Sequence, residues 1–236
     1  MTGYRAALAI GAAAVAPLVA PTLRAVAPAL AGIGDPQHVA LTFDDGPHPS
    51  STPDFLVRLE RLAVRATFFL IGEQAAAYPK LVRRIVDAGH EIALHGHTHR
   101  ILLARTPMSA RADVRRGYDA VATASGVAPQ WYRPPYGVLT GAARTVAGDF
   151  GMRCVLWTNW GRDWTSAATP QTVCDTVARR FAGGATILLH DSDTRSAPGS
   201  WRATLGALTP LVDACHRRGW TVGPLAEHRI PSEVAP

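Results

Sequence analysis

The stretch HVALTFDDGPHPSSTPDFLVRLERLAVRATFFLI, residues 38–71, contains the unit that decides the fold. Residues 39–43 and 66–71 are short apolar runs with β-branched and aromatic side chains, a pattern that predicts two strands. Between them, a predicted helix over residues 52–64 has Leu56, Leu59 and Leu62 on one face. A strand, a helix and a second strand in this order predict a βαβ unit in a parallel sheet.

The same alternation continues to residue 222 and predicts an α/β fold with a single (β/α) barrel. Ser109 is a plausible cap of one helix, and Thr169 with Pro170 opens another. The seven predicted strands cover residues 39–43, 66–71, 91–94, 131–133, 153–158, 185–189 and 220–222. Helices are predicted over residues 52–64, 79–88, 109–125, 139–150 and 201–218, and from residue 170 onward. The predicted domain spans residues 35–230, with a tail over 231–236.

The composition excludes several classes of protein. Of the 236 residues, 47% are hydrophobic and 18% are charged, which is typical of a globular chain rather than a disordered one. The net charge of +6 comes from dispersed arginines, and without a basic run or an aromatic-basic motif no nucleic-acid partner is expected. The three cysteines have no CxxC spacing, so neither a disulfide framework nor a thiolate zinc site is indicated.

The first 34 residues are expected to form a leader outside the fold. An apolar run over residues 6–20 follows Arg5, as in an export signal or an N-terminal membrane anchor, and residues 29–31 have the A-x-A form of a cleavage site. The run is shorter than the roughly 20 apolar residues of a membrane span, and a disordered leader without an address is the alternative. The expected location is therefore outside the cytoplasm, either in the cell envelope, anchored to the membrane, or secreted.

Polar residues follow five of the predicted strands. In (β/α) barrels the residues just beyond the carboxyl ends of the strands line the active site. These segments are therefore expected to lie together: Asp44 and Asp45, residues 95–99, residues 133–136, Asp163 with Trp164, and His190 with Asp191.

His95 and His99 are candidate metal ligands. If residues 96–100 form a helical turn, the two imidazoles point the same way, whereas His97 points away. A carboxylate would complete a three-ligand catalytic metal site. Histidines that bind no metal are the alternative.

Asp44 and Asp45 are adjacent carboxylates, an unfavourable arrangement unless they have different partners. A metal on one and a guanidinium on the other would satisfy both, and one could then act as a base toward a water molecule activated by the metal. A solvated Asp-Asp-Gly-Pro turn is the alternative.

Five motifs in this order resemble those of the polysaccharide deacetylases, carbohydrate esterase family 4, whose domain is also called the NodB homology domain. The resemblance covers about residues 38–223, and the motifs are residues 42–47 (TFDDGP), His95 with His99, residues 133–136 (RPPY), Asp163 with Trp164, and residues 188–190 (LLH). It implies a distorted TIM-like barrel of the (β/α)7 type. It also implies a metal-dependent hydrolase that removes acetyl groups from amino-sugar polysaccharides, such as the N-acetylglucosamine units of peptidoglycan or chitin.

The resemblance also implies a role for each matched residue. One divalent ion, with Zn²⁺ favoured over Co²⁺, Mn²⁺ or Ni²⁺, would be bound by Asp45, His95 and His99. The catalytic residues would be Asp44 as the general base, Arg133 as its partner, His190 as the general acid and Asp163 as the residue that orients His190. Substrate would contact the backbone N–H of Tyr136 and an apolar wall of Trp164 and Leu188.

Two positions depart from the family pattern. Gly96 replaces the usual Ser or Thr of the second motif, so a hydrogen bond that steadies the metal ligands would be lost unless Thr98 or His97 supplies it. Trp160 stands where the fourth motif usually has an acidic residue.

The expected partner is an acetylated polysaccharide, and we expect a monomer. Two alternative functions remain open. One is a hydrolase of small non-peptide amides on the same scaffold, and the other is a carbohydrate-binding protein without turnover.

Overall fold

A computed structural model describes residues 24–232 as a curled parallel sheet with helices packed against it. The strand order is β5-β4-β3-β2-β1-β7-β6, and β8 pairs with the first three residues of β1. The prediction of a distorted barrel of (β/α) units is confirmed. The strands are β1 His38–Asp44, β2 Thr67–Leu70, β3 Glu91–Leu94, β4 Trp131–Tyr132, β5 Arg153–Cys154, β6 Asn159–Trp160, β7 Thr186–His190 and β8 Thr221–Gly223.

The helices begin where proline and threonine favour a start. Thr169 caps α6, as predicted, whereas the helix predicted from Ser109 begins earlier, because Thr106 accepts a hydrogen bond from the Ser109 N–H at 3.2 Å. A short helix, α2, was not predicted. The helices are α1 Thr52–Arg61, α2 Gly72–Ala77, α3 Pro79–Asp87, α4 Pro107–Ser125, α5 Gly141–Asp149, α6 Pro170–Ala178 and α7 Trp201–His216, with 3-10 turns at Leu102–Ala104, Pro135–Gly137 and Leu225–Glu227.

The strand predicted over residues 153–158 is wrong in extent. The structure has two short strands there, β5 and β6, which lie at opposite edges of the sheet. Residues 155–158 cross the opening between these edges: the Val155 N–H donates to the Tyr132 carbonyl and the Thr158 N–H donates to the Thr186 carbonyl, both at 3.0 Å. One continuous strand could not pair with both edges, so the chain itself bridges the gap in the barrel.

β1 is the central strand and is buried along its whole length. Leu41 and Phe43 belong to the apolar cluster beneath the helices, whereas Ala40 belongs to a separate cluster inside the barrel. Since successive side chains of a strand point to opposite faces, Thr42 and Asp44 share the inner face with Ala40. The same alternation directs the last polar residues of the neighbouring strands into the barrel.

The lower end of the barrel, defined as the end where the strands begin, is filled by apolar residues. Ala29, Leu225 and Ile230 pack there against interior side chains. The Gly32 carbonyl accepts a hydrogen bond from Thr186 Oγ1 at 2.6 Å, and the Leu30 carbonyl accepts one from the Leu156 N–H at 2.7 Å. Residues 29–34 of the predicted leader thus pack against the domain.

The export or anchor prediction depends mainly on residues 1–23, which lie outside the described residues. Among residues 24–232, no helix combines the length and the apolar character needed to cross a membrane.

Candidate active site

The upper end of the barrel, where the strands terminate, contains a buried ion pair between Asp44 and Arg133. Nη1 of Arg133 donates to Asp44 Oδ1 at 2.7 Å and to Thr42 Oγ1 at 2.8 Å. Nη2 donates to the Leu156 carbonyl at 2.8 Å. The guanidinium is fully buried and its carbon lies 3.9 Å from the centre of the Phe69 ring. Asp44 therefore has a fixed charged partner on Oδ1, which leaves Oδ2 directed elsewhere.

Asp44 Oδ2 faces Nε2 of His95, and the other ring nitrogen has a backbone partner. His95 Nδ1 lies 2.8 Å from the Arg133 carbonyl, which can only accept, so Nδ1 carries the hydrogen. The lone pair of Nε2 then points toward two carboxylates, because Asp44 Oδ2 and Asp45 Oδ1 each lie 3.6 Å away. This is the tautomer that a metal ligand requires.

Asp45, His95 and His99 together form a group with the donors of a metal site. Their candidate ligand atoms all lie within 4.8 Å of one another, and His99 Nε2 is 3.3 Å from Asp45 Oδ1. Asp45 Oδ1 is buried without a hydrogen-bond partner. One carboxylate oxygen and two imidazole nitrogens suit Zn²⁺ and leave coordination positions open, so the residues fit the metal that the resemblance implied.

Burial shapes the charge of this group. It raises the pKa of the Asp45 carboxyl, and it lowers the pKa of His99 to about 2, with a further lowering by His95. His99 is therefore neutral at ordinary pH, with a lone pair available for coordination.

The two histidines converge without the helical turn that their spacing suggested as one way to bring them together. Residues 95–100 form an irregular loop, in which Gly96 has a φ of 83° and Asp45 itself has a φ of 74°. The ring centres of His95 and His99 lie 5.2 Å apart. The positive φ of Gly96 lets the chain reverse where a helix would continue, and it disfavours the Ser or Thr usual in this motif.

A hydrogen-bond network around Asp113, which the sequence did not identify, holds the loop that follows Gly96. Asp113 accepts hydrogen bonds from the His97 N–H at 3.0 Å and from Thr98 Oγ1 at 2.7 Å. Arg105 lies 3.2 Å from the same carboxylate and donates to Thr98 Oγ1. Asp113 is far away in sequence on α4, and only its position in the first turns of a predicted helix was visible.

His190 lies across the site from the metal-ligand candidates and is held by Asp163. The ring Nδ1 of His190 lies 3.0 Å from Asp163 Oδ1, and the backbone N–H of His190 donates to Asp163 Oδ2 at 2.7 Å. Thr204 on α7 also donates to Asp163 Oδ2, at 2.7 Å, and is a second residue that the sequence did not identify. Burial alone would lower the pKa of His190, but Asp163, with help from Asp45 and Asp44, raises it to about 10. The ring is thus protonated at neutral pH.

Aromatic side chains line one side of the site. Trp164 packs edge-on against His190 with ring centres 5.6 Å apart, and Trp160 packs against Trp164 at 5.3 Å. Leu188 is buried on the inner face of β7, beside Trp160 in the sheet. The Tyr136 ring lies 4.5 Å from His99, and Tyr136 has a φ of 60°. The predicted site residues therefore lie together at the upper end of the barrel, where Trp160 joins Trp164 and Leu188.

Comparison with known proteins assigns the family. The polysaccharide deacetylase family model matches residues 31–155. The chain belongs to the polysaccharide deacetylase family. Its relatives include chitooligosaccharide and peptidoglycan deacetylases, which indicates that this chain is a hydrolase acting on carbon–nitrogen bonds of acetylated sugars.

Several relatives of this deacetylase are similar over most of their length. A chitooligosaccharide deacetylase of Bradyrhizobium sp. is 37% identical over 80% of this chain and 89% of its own. A peptidoglycan-N-acetylglucosamine deacetylase of Bacillus cereus is 33% identical over 81% of this chain and 68% of its own. A family 4 carbohydrate esterase of Streptomyces lividans, solved with acetate, has a TM-score of 0.72 at 33% identity and covers 85% of this chain and 98% of its own.

Proposed function

We propose that this deacetylase removes N-acetyl groups from N-acetylglucosamine-type units of an extracellular glycan, with one divalent ion, Zn²⁺ by preference, bound by Asp45, His95 and His99. The observation that carries the proposal is the convergence of one carboxylate oxygen and two imidazole nitrogens within 4.8 Å. Such an ion, when bound, lowers the pKa of water and polarises the acetyl oxygen.

Asp44 is placed to act as the general base. Arg133 donates to Oδ1 at 2.7 Å, so this oxygen has a fixed cationic partner, while Oδ2 lies beside His95 Nε2. Oδ2 accepts a proton from the attacking water, whose oxygen bonds to the acetyl carbon. The Tyr136 N–H donates to the acetyl oxygen as negative charge develops there.

His190 is placed to act as the general acid. Asp163 binds Nδ1, so Nε2, which lies 3.9 Å from Asp45 Oδ2, faces the cleft with a proton to donate. An amine leaves only when it is protonated, and His190 supplies that proton as the carbon–nitrogen bond breaks. The products are acetate and a free amino sugar, and Trp164 with Leu188 encloses the acetyl methyl group.

Acetate release tests this function. The purified chain, loaded with Zn²⁺, is incubated with chitin oligomers and peptidoglycan, with a small free amide as the competing substrate. We expect acetate from at least one glycan, loss of release after chelation, and recovery when Zn²⁺ is returned. Binding of the glycans without acetate release would favour a carbohydrate-binding protein, and hydrolysis of the small amide alone would favour an amidase.

We also propose that the enzyme works outside the cytoplasm, in the envelope or secreted, with residues 29–34 retained on the domain. Ala31 and Gly32 are buried, and the Gly32 carbonyl is bonded to Thr186. Cleavage after Ala31 would put a charged ammonium at this buried position, which is costly. Mass analysis of the N-terminus of the exported protein tests this, and an N-terminus at Gly32 would contradict it.

A further inference from the structure

Arg195 lies above the active site although no motif includes it. It belongs to the loop that follows β7, and its Nη2 lies 3.9 Å from Oε2 of Glu73, the second residue of α2 after β2. Since β1 lies between β2 and β7 in the sheet, a contact between these two loops passes over the carboxyl end of β1. Asp45 follows that end directly.

The loop that presents Arg195 is held in place by its own hydrogen bonds. Asp193 accepts from the Gly199 N–H at 2.6 Å, and the Ala197 N–H donates to the Trp164 carbonyl at 3.0 Å. The guanidinium is thus carried on a fixed backbone next to the wall of the cleft.

The guanidinium of Arg195 is available for another partner. The contact with Glu73 is longer than a hydrogen bond, and both side chains are 40% or more exposed. Pairs of this kind contribute little and exchange readily with solvent or ligand. Arg133 is the opposite case, since it is fully buried and its hydrogen bonds engage both terminal nitrogens. Arginine binds a carboxylate with two parallel hydrogen bonds, which the weak pair with Glu73 lacks.

A neutral N-acetylglucosamine polymer offers no group for such a cation. Muramic acid does, because its lactyl ether is attached to the carbon next to the one that bears the acetamido group and ends in a carboxylate. We infer that Arg195 is a specificity residue that binds a carboxylate next to the scissile acetamide, so that the preferred substrate is an anionic amino sugar of the muramic acid type. This inference rests on the proposed deacetylase function and adds the class of sugar.

The experiment compares one polymer in two charge states. Glycan strands of peptidoglycan, freed of stem peptides, carry lactyl carboxylates, and conversion of these to methylamides removes the charge. We expect the wild type to deacetylate muramic residues of the acidic strands with the higher kcat/KM. The measured quantity is kcat/KM on acidic strands divided by kcat/KM on amidated strands. In Arg195→Gln this ratio falls about tenfold, the size expected for a charge-assisted hydrogen bond. Glu73→Gln, which frees the guanidinium, raises the ratio, and added salt lowers the wild-type ratio.

Arg83→Gln on α3 is the matched control, because it removes the same charge from an exposed position outside the site and should leave the ratio unchanged. An unchanged ratio in Arg195→Gln, or an equal change in Arg83→Gln, would overturn the inference. A higher ratio in Arg195→Gln would point instead to Glu73 as the residue that recognises a cationic sugar, and would also overturn it.

A binding measurement separates failure of this inference from failure of the proposed function. In an Asp44→Asn background, calorimetry gives the affinities for acidic and amidated strands without turnover. Tighter binding of acidic strands that is lost with Arg195→Gln supports the inference even if the wild type releases no acetate, in which case only the proposed function fails. Equal affinities for the two strands overturn the inference even if acetate is released.

Discussion

The two ends of the barrel each contain a pair of buried histidines, and the pairs differ in what their nitrogens face. At the lower end, His38 Nδ1 lies 2.8 Å from His228 Nδ1, and His228 Nε2 lies 3.2 Å from the Gly184 carbonyl. At the upper end, Nε2 of both His95 and His99 faces the Asp45 carboxylate, whose Oδ1 has no hydrogen-bond partner.

The difference separates a structural pair from a ligand pair. His228 must donate from Nε2 to the backbone carbonyls, so its Nδ1 accepts a hydrogen from His38 and the two rings bond to each other. The upper pair instead directs both Nε2 atoms at a shared carboxylate, an arrangement that is stable only with a cation or protons between them. Buried imidazole rings are therefore common to both ends, and the shared carboxylate of Asp45 distinguishes the candidate metal site.

The largest expected effect concerns the base at the upper end. Replacing Asp44 by Asn removes the proton acceptor while Asp45, His95 and His99 remain. We expect kcat for acetate release to fall about 10³-fold, within the range for loss of a general base. Metal analysis should still give the wild-type content. Activity close to wild type would contradict the assignment of Asp44 as the base.

The lower pair should affect stability and not chemistry. In His228→Ala the ring of His38 loses its partner, and the carbonyls of Gly32 and Gly184 each lose one hydrogen bond while keeping those from Thr186 and the Gly34 N–H. The free energy of unfolding should therefore fall by about 2 kcal/mol. The kcat of the folded variant should match the wild type. The exposed His216→Ala is the control and should change stability by no more than about 0.5 kcal/mol. A loss of kcat in folded His228→Ala would break the comparison.

The lower pair also predicts how stability depends on pH. Burial, followed by the charge of His38, lowers the pKa of His228 to about 4. Because the unfolded chain takes up a proton near pH 6.5 and the native chain does not, stability is complete above pH 6.5 and is lost as the pH falls toward 4. In urea unfolding, the contribution of His228 to the free energy of unfolding should be about 2 kcal/mol lower at pH 5 than at pH 7. His228→Ala should make the dependence shallower, and an unchanged slope would contradict this account of the pair.

A smaller effect is expected from Thr204, which positions Asp163 and through it His190. Thr204→Val keeps the shape but removes one of the hydrogen bonds to Asp163 Oδ2. We expect kcat to fall about fivefold with KM nearly unchanged, the size of one net hydrogen bond. Thr204→Ser should restore kcat, since it returns the hydroxyl. Failure of serine to restore kcat would mean that packing on α7, not the hydrogen bond, is the cause.

The sequence predicted the site residues that lie in motifs, but not the residues that hold them in place. Asp45, His95 and His99 were expected at the same end of the barrel because each follows a strand, and the family motifs implied that the three form one ligand set. Asp113 and Thr204 were not identified, because each reaches the site from a helix far away in the chain and nothing local marks the contact. The helical turn considered for residues 96–100 does not form, and spacing alone does not reveal that Gly96 adopts a positive φ.

The same limit applies to the strand predicted over residues 153–158. Its apolar residues are compatible with a strand, but the sheet order places its two ends at opposite edges of the barrel. Residues 29–31 illustrate the converse, because small residues typical of a cleavage site also pack at the lower end, with Ala31 only 1% exposed. In both cases long-range packing determines the structure of a locally ambiguous segment.

The central claim is that the upper pair, and not the lower one, binds a metal with Asp45. The most direct test is metal content after loading with Zn²⁺ and dialysis, measured for the wild type, His99→Ala and His228→Ala. The account predicts one ion per chain in the wild type and in His228→Ala, and none in His99→Ala. One ion retained in His99→Ala, or none bound by the wild type, would contradict it.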